Sequence, residues 1–297
     1  MVDLNNISTE RPVLITGPTG CGKSALALEI AARHGGTIVN ADAMQVFGNW
    51  RILTARPSPQ DEATASHHLF GHVSGDAAYS VGHWLRDVTP LLQGPVRPII
   101  VGGTGLYFAA LTDGLVDIPP IPADIRDLAA QRIAAQGVDA LLAELDQATA
   151  RRIDTKNPVR VQRAWEVQQA TGKGLAGWLD QPQPAALPLE RVETLLLSAD
   201  KTWLIKRIKS RFEAMLAGGV LDEARQNQPT WAPDLPSAKV IGAAQLMAHL
   251  SGQMTLDEVR NSVLIATRQY AKRQRSWFRA RMSQWYEVRV PLTGASP

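Results

Sequence analysis

Residues 12–33 read PVLITGPTGCGKSALALEIAAR, and this stretch decides the fold. Residues 12–16 (PVLIT) are a short apolar run rich in β-branched side chains, the signature of a buried strand. Residues 24–33 (SALALEIAAR) carry apolar side chains at helical spacing, and Gly35-Gly36 ends that helix. Between them, Gly17-Pro18-Thr19-Gly20-Cys21-Gly22-Lys23-Ser24 fits the pattern G-x-x-x-x-G-K-[ST]. In such a loop the glycines let backbone N–H groups converge on a polyphosphate. Lys23 adds a point charge, Ser24 is a Mg²⁺ ligand candidate, and the following helix presents its positive dipole end. The motif points to phosphate binding without saying which phosphate.

Working outward, further strands are expected at 37–41, at 98–101 ahead of Gly102-Gly103, and at 193–199 (ETLLLSA). Continuous apolar strands alternating with helices predict an α/β fold, a parallel sheet flanked by helices with a P-loop NTPase-like core. The texture changes at DIPPIP (117–122), and residues 123–178 show helical patterning with no strand signal. Pro182, Pro184 and Pro188 mark the exit. The expected organisation is a first core segment at 10–116, an all-helical insertion at 117–186, and core completion with basic C-terminal helices at 187–297.

Composition excludes several classes. The chain has 297 residues, 45% hydrophobic and 20% charged, which is incompatible with wholesale disorder. Its single cysteine, Cys21, cannot form an intramolecular disulfide. The first residues lack a basic start followed by an apolar run, and no stretch approaches the ~20 apolar residues of a membrane span. A cytoplasmic globular protein is expected. The net charge of +3 is uninformative by itself; the location of the basic residues carries more.

Those residues concentrate in 267–281 (TRQYAKRQRSWFRAR), which holds Arg268, Lys272, Arg273, Arg275, Arg279 and Arg281 and no acid. Arg268, Lys272, Arg275 and Arg279 share one helix face. Contact with nucleic-acid phosphates and a solvated basic face both account for the stripe. Asp42 follows the second strand. It reads either as a turn former or as a catalytic carboxylate at the strand end where ligands bind. The third strand runs into Gly102-Gly103-Thr104-Gly105 with no carboxylate, unlike a typical triphosphate hydrolase. His67, His68, His72 and His83 fit loop hydrogen bonding better than metal ligation, and Cys21 reads as a small residue fitting its turn.

Taken in order, the motifs resemble the tRNA dimethylallyltransferase (tRNA isopentenyltransferase) family. The resemblance runs through GPTGCGKS (17–24), NADAMQVF (40–47), TARP (54–57), HHL (67–69), YSVGHW (79–84) and IIVGGTGLY (99–107). It continues with NPVRVQRAWEV (157–167), RFEAML (211–216), KVIG (239–242) and TRQYAKRQRSWF (267–278). It implies Mg²⁺-dependent transfer of a dimethylallyl group from its diphosphate to N6 of the adenosine adjacent to the anticodon, position 37. The loop Gly17 to Ser24 then holds the donor's diphosphate, with Ser24 the metal contact. By the same resemblance Asp42 is the general base and Thr104 contacts the bridging oxygen of the leaving group. Lys23 and Arg211 bind the diphosphate.

The implied contacts to the tRNA anticodon stem-loop are Asp42, Ala43, Met44, Gln45, Thr104 and Arg126. To these the family pattern adds Val159, Arg160, Val161, Gln162, Arg163, Lys239 and Gly242. Arg268, Lys272 and Arg275 of the basic stripe complete the set, and a monomer is expected. The chain departs from the family pattern at Ala43 (usually Ser), Phe47 (usually Tyr), Arg56 (usually Lys) and Ala243 (usually aromatic). The competing readings are a P-loop kinase of a small metabolite or nucleotide, in which the loop holds ATP, and a non-catalytic RNA-binding relative. Prenylation of free adenine nucleotides is disfavoured, because so small an acceptor needs neither the insertion nor the basic helix.

Overall fold

The protein is represented by a computed structural model that describes residues 7–181 and 183–290. Six strands form one sheet: β1 (Val13–Thr16), β2 (Thr37–Asn40), β3 (His67–His68), β4 (Pro98–Gly102), β5 (Glu193–Ala199) and β6 (Tyr286–Val290). Their order is β3-β2-β4-β1-β5-β6, and every neighbouring pair is parallel. The fold is α/β of P-loop type. All residues of β1, β2 and β4 are buried, as a sheet covered on both faces requires.

The two-residue period of the strands divides the core into layers. Val13, Ile15, Ile99 and Val101 face one way and pack with Leu26 and Ile30 of the helix Lys23–His34 and with Leu204 and Ile208 of the helix Lys201–Ala217. Leu14, Val39 and Ile100 face the other way, onto Trp84, Tyr107, Phe108 and Phe278. A third cluster, with Trp50, Val220, Leu246 and Val259, unites the loop after β2 with the C-terminal helices. The longest helix, Leu256–Arg281, starts at a capping box. The Thr255 side chain accepts the N–H of Glu258 and the Glu258 carboxylate accepts that of Thr255, an arrangement worth about 1 kcal/mol.

Two strands differ from the sequence expectation. The His67–His68 pair forms β3 at the sheet edge, paired with Ile38 and Val39, where a loop was expected. Two half-buried polar residues give no periodic signal. The strand β6 lies in the stretch 187–297, for which the sequence predicts core completion and basic helices but no strand beyond 193–199. Only Val288 of it is fully buried while Tyr286, Glu287 and Arg289 are exposed, so its apolar content is too low to stand out.

The chain divides into two compact units, Met1–Thr112 with Ala186–Pro297, and Asp113–Ala185. The second begins four residues before the proline-rich signal that placed it at 117–186, and Pro182 lies outside the described residues. It contains five helices among the described residues: Ala123–Gln136, Val138–Ala143, Gln147–Arg152, Pro158–Thr171 and Leu175–Leu179. They close over Ala129, Leu141, Val161, Ala164 and Trp165. The sheet unit receives the chain back where it let it go, because Leu187 N–H donates to the Leu111 carbonyl at 3.0 Å. No helix among the described residues is long and apolar enough to cross a membrane.

Candidate active site

Strand order explains why distant motifs meet. β2, β4 and β1 are consecutive in the sheet, so the loops after them lie side by side at the carboxyl edge, where open α/β sheets bind ligands. The approach is close. A Cβ on Gly102 would fall 2.0 Å from the Ala41 carbonyl oxygen, so β4 can end beside β2 only with glycine there. Beyond that glycine, Thr104 N–H donates to the same Ala41 carbonyl at 3.2 Å.

The loop after β1 has the backbone its glycines predict. Gly20 and Gly22 take φ of 85° and 95°, values that side-chain-bearing residues avoid. Gly22 caps the helix that starts at Lys23, aiming unpaired helical N–H groups into the loop. Lys23 Nζ donates to the carbonyls of Gly17 and Pro18 at 2.9 and 3.0 Å, so its charge is held over the loop. Burial pushes the Cys21 thiol upward, against a smaller opposing pull from Lys23. The cysteine is a packed neutral side chain, in keeping with the reading of it as a small residue.

Arg211 reaches the loop from the helix Lys201–Ala217. Its guanidinium donates to Thr19 Oγ1 and to the Thr54 carbonyl, both at 3.4 Å. Burial pulls its pKa down, while the nearby negative charge of Asp42 acts most strongly in the other direction. An arginine so placed remains a cation, and its long contacts leave its charge under-compensated.

Asp42 is held by its own turn. Its N–H donates to Asn40 Oδ1 at 2.8 Å, and its Oδ1 accepts Met44 N–H at 3.0 Å. Thr104 Oγ1 accepts Ala43 N–H at 2.9 Å, fastening the Asp42 turn to the loop after β4. Two residues of the helix Leu256–Arg281 complete the cluster, and sequence reasoning assigned neither a role there. Tyr270 lies against Thr104 and Gln274, its phenol pushed upward by burial and then by Asp42. Gln274, 5% exposed, accepts Thr19 N–H at 2.8 Å and donates to the Gly103 carbonyl at 2.9 Å. A signal existed: 270, 274 and 277 share a helix face opposite the basic stripe.

A carboxylate, a hydroxyl, two cations and a ring of amides thus share one end of the sheet. This set can bind a diphosphate and take a proton from a nucleophile beside it. The sequence pattern of the IPP transferase family matches residues 45–281, and that of isopentenyl transferases matches residues 11–68. The chain belongs to the IPP transferase family. It is 56% identical to a tRNA dimethylallyltransferase of Dinoroseobacter shibae over 289 residues, covering 96% of this chain and 97% of the relative. A Cereibacter sphaeroides protein of the same name is 53% identical, with 97% and 92% covered. Among solved structures, a eukaryotic dimethylallyltransferase acting on tRNA matches with TM-score 0.79 at 25% identity, covering 94% of this chain and 73% of that one. The tRNA isopentenylpyrophosphate transferase of Bacillus halodurans matches with TM-score 0.65 at 29% identity, covering 94% and 90%.

The contacts expected of an IPP transferase divide once placed in this structure. Asp42, Ala43, Met44, Gln45 and Thr104 are all part-exposed around the cluster. Gln45 Nε2 donates to the carbonyls of Thr54 and Ala55 at 2.8 and 3.1 Å, which holds the turn open. In the insertion, Arg126, Val159, Arg160 and Arg163 are exposed, Val159 at 74%. Val161 corrects the expectation: it is completely buried in the insertion core and cannot touch tRNA. Helical period puts it on the inner face with Ala164 and Trp165, while Arg160 and Arg163 point out and Gln162, half-buried, donates to Glu166 Oε1 at 2.9 Å. Gly242 is likewise buried, at φ 101°, and a Cβ there would lie 3.0 Å from Leu53 Cδ1. It is a turn former, whereas Lys239 is exposed.

Arg268, Lys272 and Arg275 line an open groove of about 310 Å³ with Lys201, floored by Leu204 and Ile208. Their helix face is the one turned away from Tyr270 and Gln274. Among the departures, Ala243 is fully buried against the third core cluster and Phe47 is 3% exposed. Arg56 donates to the Phe47 carbonyl at 3.1 Å. The histidines serve locally. His67 pairs with the Ala65 carbonyl at 2.8 Å, and His83 closes a capping box with Ser80. No group of three or more His, Cys, Asp or Glu suited to a metal occurs among the described residues.

Proposed function

We propose that the chain transfers a dimethylallyl group from dimethylallyl diphosphate to N6 of the adenosine at position 37, adjacent to the anticodon of tRNA. The observation that carries this reading is the fastening of the Asp42 turn to Thr104 beside the phosphate loop. A base and a leaving-group cradle are thereby fixed to one sheet edge. The names of the relatives supply the substrates.

The exocyclic amine of adenine is a weak nucleophile because its lone pair is delocalised into the ring. Asp42 accepts its proton as the N–C bond forms, a contribution of ~10²–10⁴ in rate. The C–O bond to diphosphate breaks as positive charge builds on the allylic carbon. Lys23, Arg211 and the loop amides bind the departing negative charge, and the Thr104 hydroxyl donates to the bridging oxygen. Lys23 must exchange its two loop carbonyls for diphosphate oxygens, so part of its binding strength offsets those lost bonds.

Mg²⁺ fits the donors present. It is a hard cation held mainly by substrate phosphates and water, and Ser24 offers one exposed hydroxyl at the loop's end. Bound there, it would supply charge neutralisation to the diphosphate. The exposed arginines Arg126, Arg160 and Arg163 and Lys239 contact tRNA phosphates. The energy of those contacts offsets the few kcal/mol needed to splay a loop base from its stack. The enzyme works as a monomer in the cytoplasm.

Incubating the protein with tRNA, dimethylallyl diphosphate and Mg²⁺, followed by mass spectrometry of the tRNA, tests the reading. The mass of one dimethylallyl group at adenosine 37 is expected. An unchanged tRNA, or phosphoryl transfer from labelled ATP to a small acceptor, would overturn it.

A further inference from the structure

Gln274 is buried, sits on the last helix, and uses both ends of its amide on loops that follow different strands. The register between β1 and β4 ends at the pair Thr16 and Gly102. Past that point the phosphate loop and the Gly103-Thr104 turn no longer share strand hydrogen bonds, yet a transfer reaction needs their separation held. Gln274 Oε1 accepts Thr19 N–H at 2.8 Å on one side, and Nε2 donates to the Gly103 carbonyl at 2.9 Å on the other. Thr104, the next residue, accepts Ala43 N–H at 2.9 Å. One uninterrupted path therefore runs from the leaving-group loop through Gln274, Gly103, Thr104 and Ala43 to Asp42.

Packing reinforces the path. A Cβ on Gly103 would lie 2.4 Å from Gln274 Nε2 and 3.3 Å from Asp42 Oδ2. The amide and the carboxylate thus press on the same glycine, from which no side chain could keep them apart. Tyr270, one turn earlier on the helix, is within hydrogen-bonding reach of Gln274 and Thr104.

We propose that Gln274 is a positioning residue for the transfer reaction, setting the separation between the bound diphosphate and the base segment Asp42–Ala43. The inference rests on the transferase reading above. Gln274 touches neither the reacting carbon nor the adenine. It acts by holding the two loops in near-attack geometry, where a displacement of about 1 Å costs on the order of 10²-fold in rate. Thr19 N–H, tied to Gln274, is withdrawn from the amides that bind diphosphate.

The test compares Gln274→Glu and Gln274→Leu with wild type. It measures single-turnover transfer to tRNA, the affinity for inorganic diphosphate with Mg²⁺, and the melting temperature. Gln274→Leu loses both hydrogen bonds. Its transfer rate should fall roughly 30–100-fold, while diphosphate affinity changes by less than about threefold. Gln274→Glu is the sharper probe. Ionised, it keeps the acceptor for Thr19 N–H but repels the Gly103 carbonyl; protonated, it donates there as the amide does. Its activity relative to wild type should therefore climb as pH falls from about 8.5 to about 6. A residue that merely fills space would give a flat ratio. A flat ratio, or equal losses of rate and diphosphate affinity, overturns the inference while wild-type transfer is intact. A wild type that transfers nothing overturns the transferase reading and this inference together.

Discussion

The hydroxyl of Thr104 accepts the backbone N–H of Ala43 at 2.9 Å, so a side chain after one strand holds the main chain after another. The bond commits one lone pair of the hydroxyl and leaves its hydrogen to donate elsewhere. Thr104→Val keeps the shape, strands the Ala43 amide and removes the donor. Transfer should fall roughly 10²–10³-fold in a single-turnover assay, as for loss of one donor to developing charge. Thr104→Ser should keep most of the rate.

Asp42→Asn should reduce transfer by roughly 10²–10⁴, because an amide cannot take the adenine proton. The Met44 N–H keeps its acceptor, now the amide oxygen, so the turn should hold. Calorimetry with dimethylallyl diphosphate should return near-wild-type affinity. Loss of rate and affinity in the same proportion would contradict the role of base.

Arg211 sets function against stability. It is desolvated, and its two contacts are long. An apolar side chain of similar volume in its place removes the desolvation cost of a charge that no close carboxylate contact offsets, and Asp42, part-exposed, stays solvated. Arg211→Met should leave the melting temperature unchanged or raise it, while donor affinity and transfer fall at least about tenfold. Arg211→Lys should not restore them, because an ammonium lacks the planar fork.

Glu223 organises the loop after β2 from a distance. Its carboxylate accepts the N–H groups of Arg51, Ile52 and Leu53 at 2.5, 2.7 and 2.9 Å. Glu223→Ala leaves three amides without that partner, at a cost of about 2–4 kcal/mol after partial rescue by water. In a unit of this size thermal unfolding should shift down by roughly 5–10 °C.

The insertion separates contact from packing within one helix. Arg160→Ala and Arg163→Ala should each weaken tRNA binding and lower the slope of log affinity against log salt by about 0.7–0.9. Val161→Ala should leave that slope unchanged and cost about 1–3 kcal/mol of stability from its cavity. Filter binding at several salt concentrations, paired with thermal melts, distinguishes them.

How far the sequence could be read follows from where each residue spends its interactions. β1, β2 and β4 are legible as apolar runs because central parallel strands are buried on both faces, and β5 is legible from its run of leucines, of which Leu195 and Leu197 are buried. The edge strands β3 and β6 are not, since His67 and His68 are polar and only Val288 of β6 goes fully inside. The phosphate loop is legible because its conformational demand is local: glycines where φ is positive, then lysine. Gln274 is illegible for the opposite reason. Its partners lie 255 and 171 residues away in the chain, and the charges around it dominate the local pattern. A family motif such as 159–163 marks a block of sequence, but a helix turns one residue of that block inward, and here it is Val161.

The bond between Leu187 N–H and the Leu111 carbonyl has a consequence beyond local stability. Chain enters and leaves the helical insertion through a single gate closed on the sheet unit's side. Whatever lies between Asp113 and Ala185 can lengthen, shorten or be exchanged without stretching a strand or moving a loop of the phosphate site. The helical unit can therefore evolve as an interchangeable attachment, while the sheet end that carries Asp42 and Thr104 is inherited unchanged.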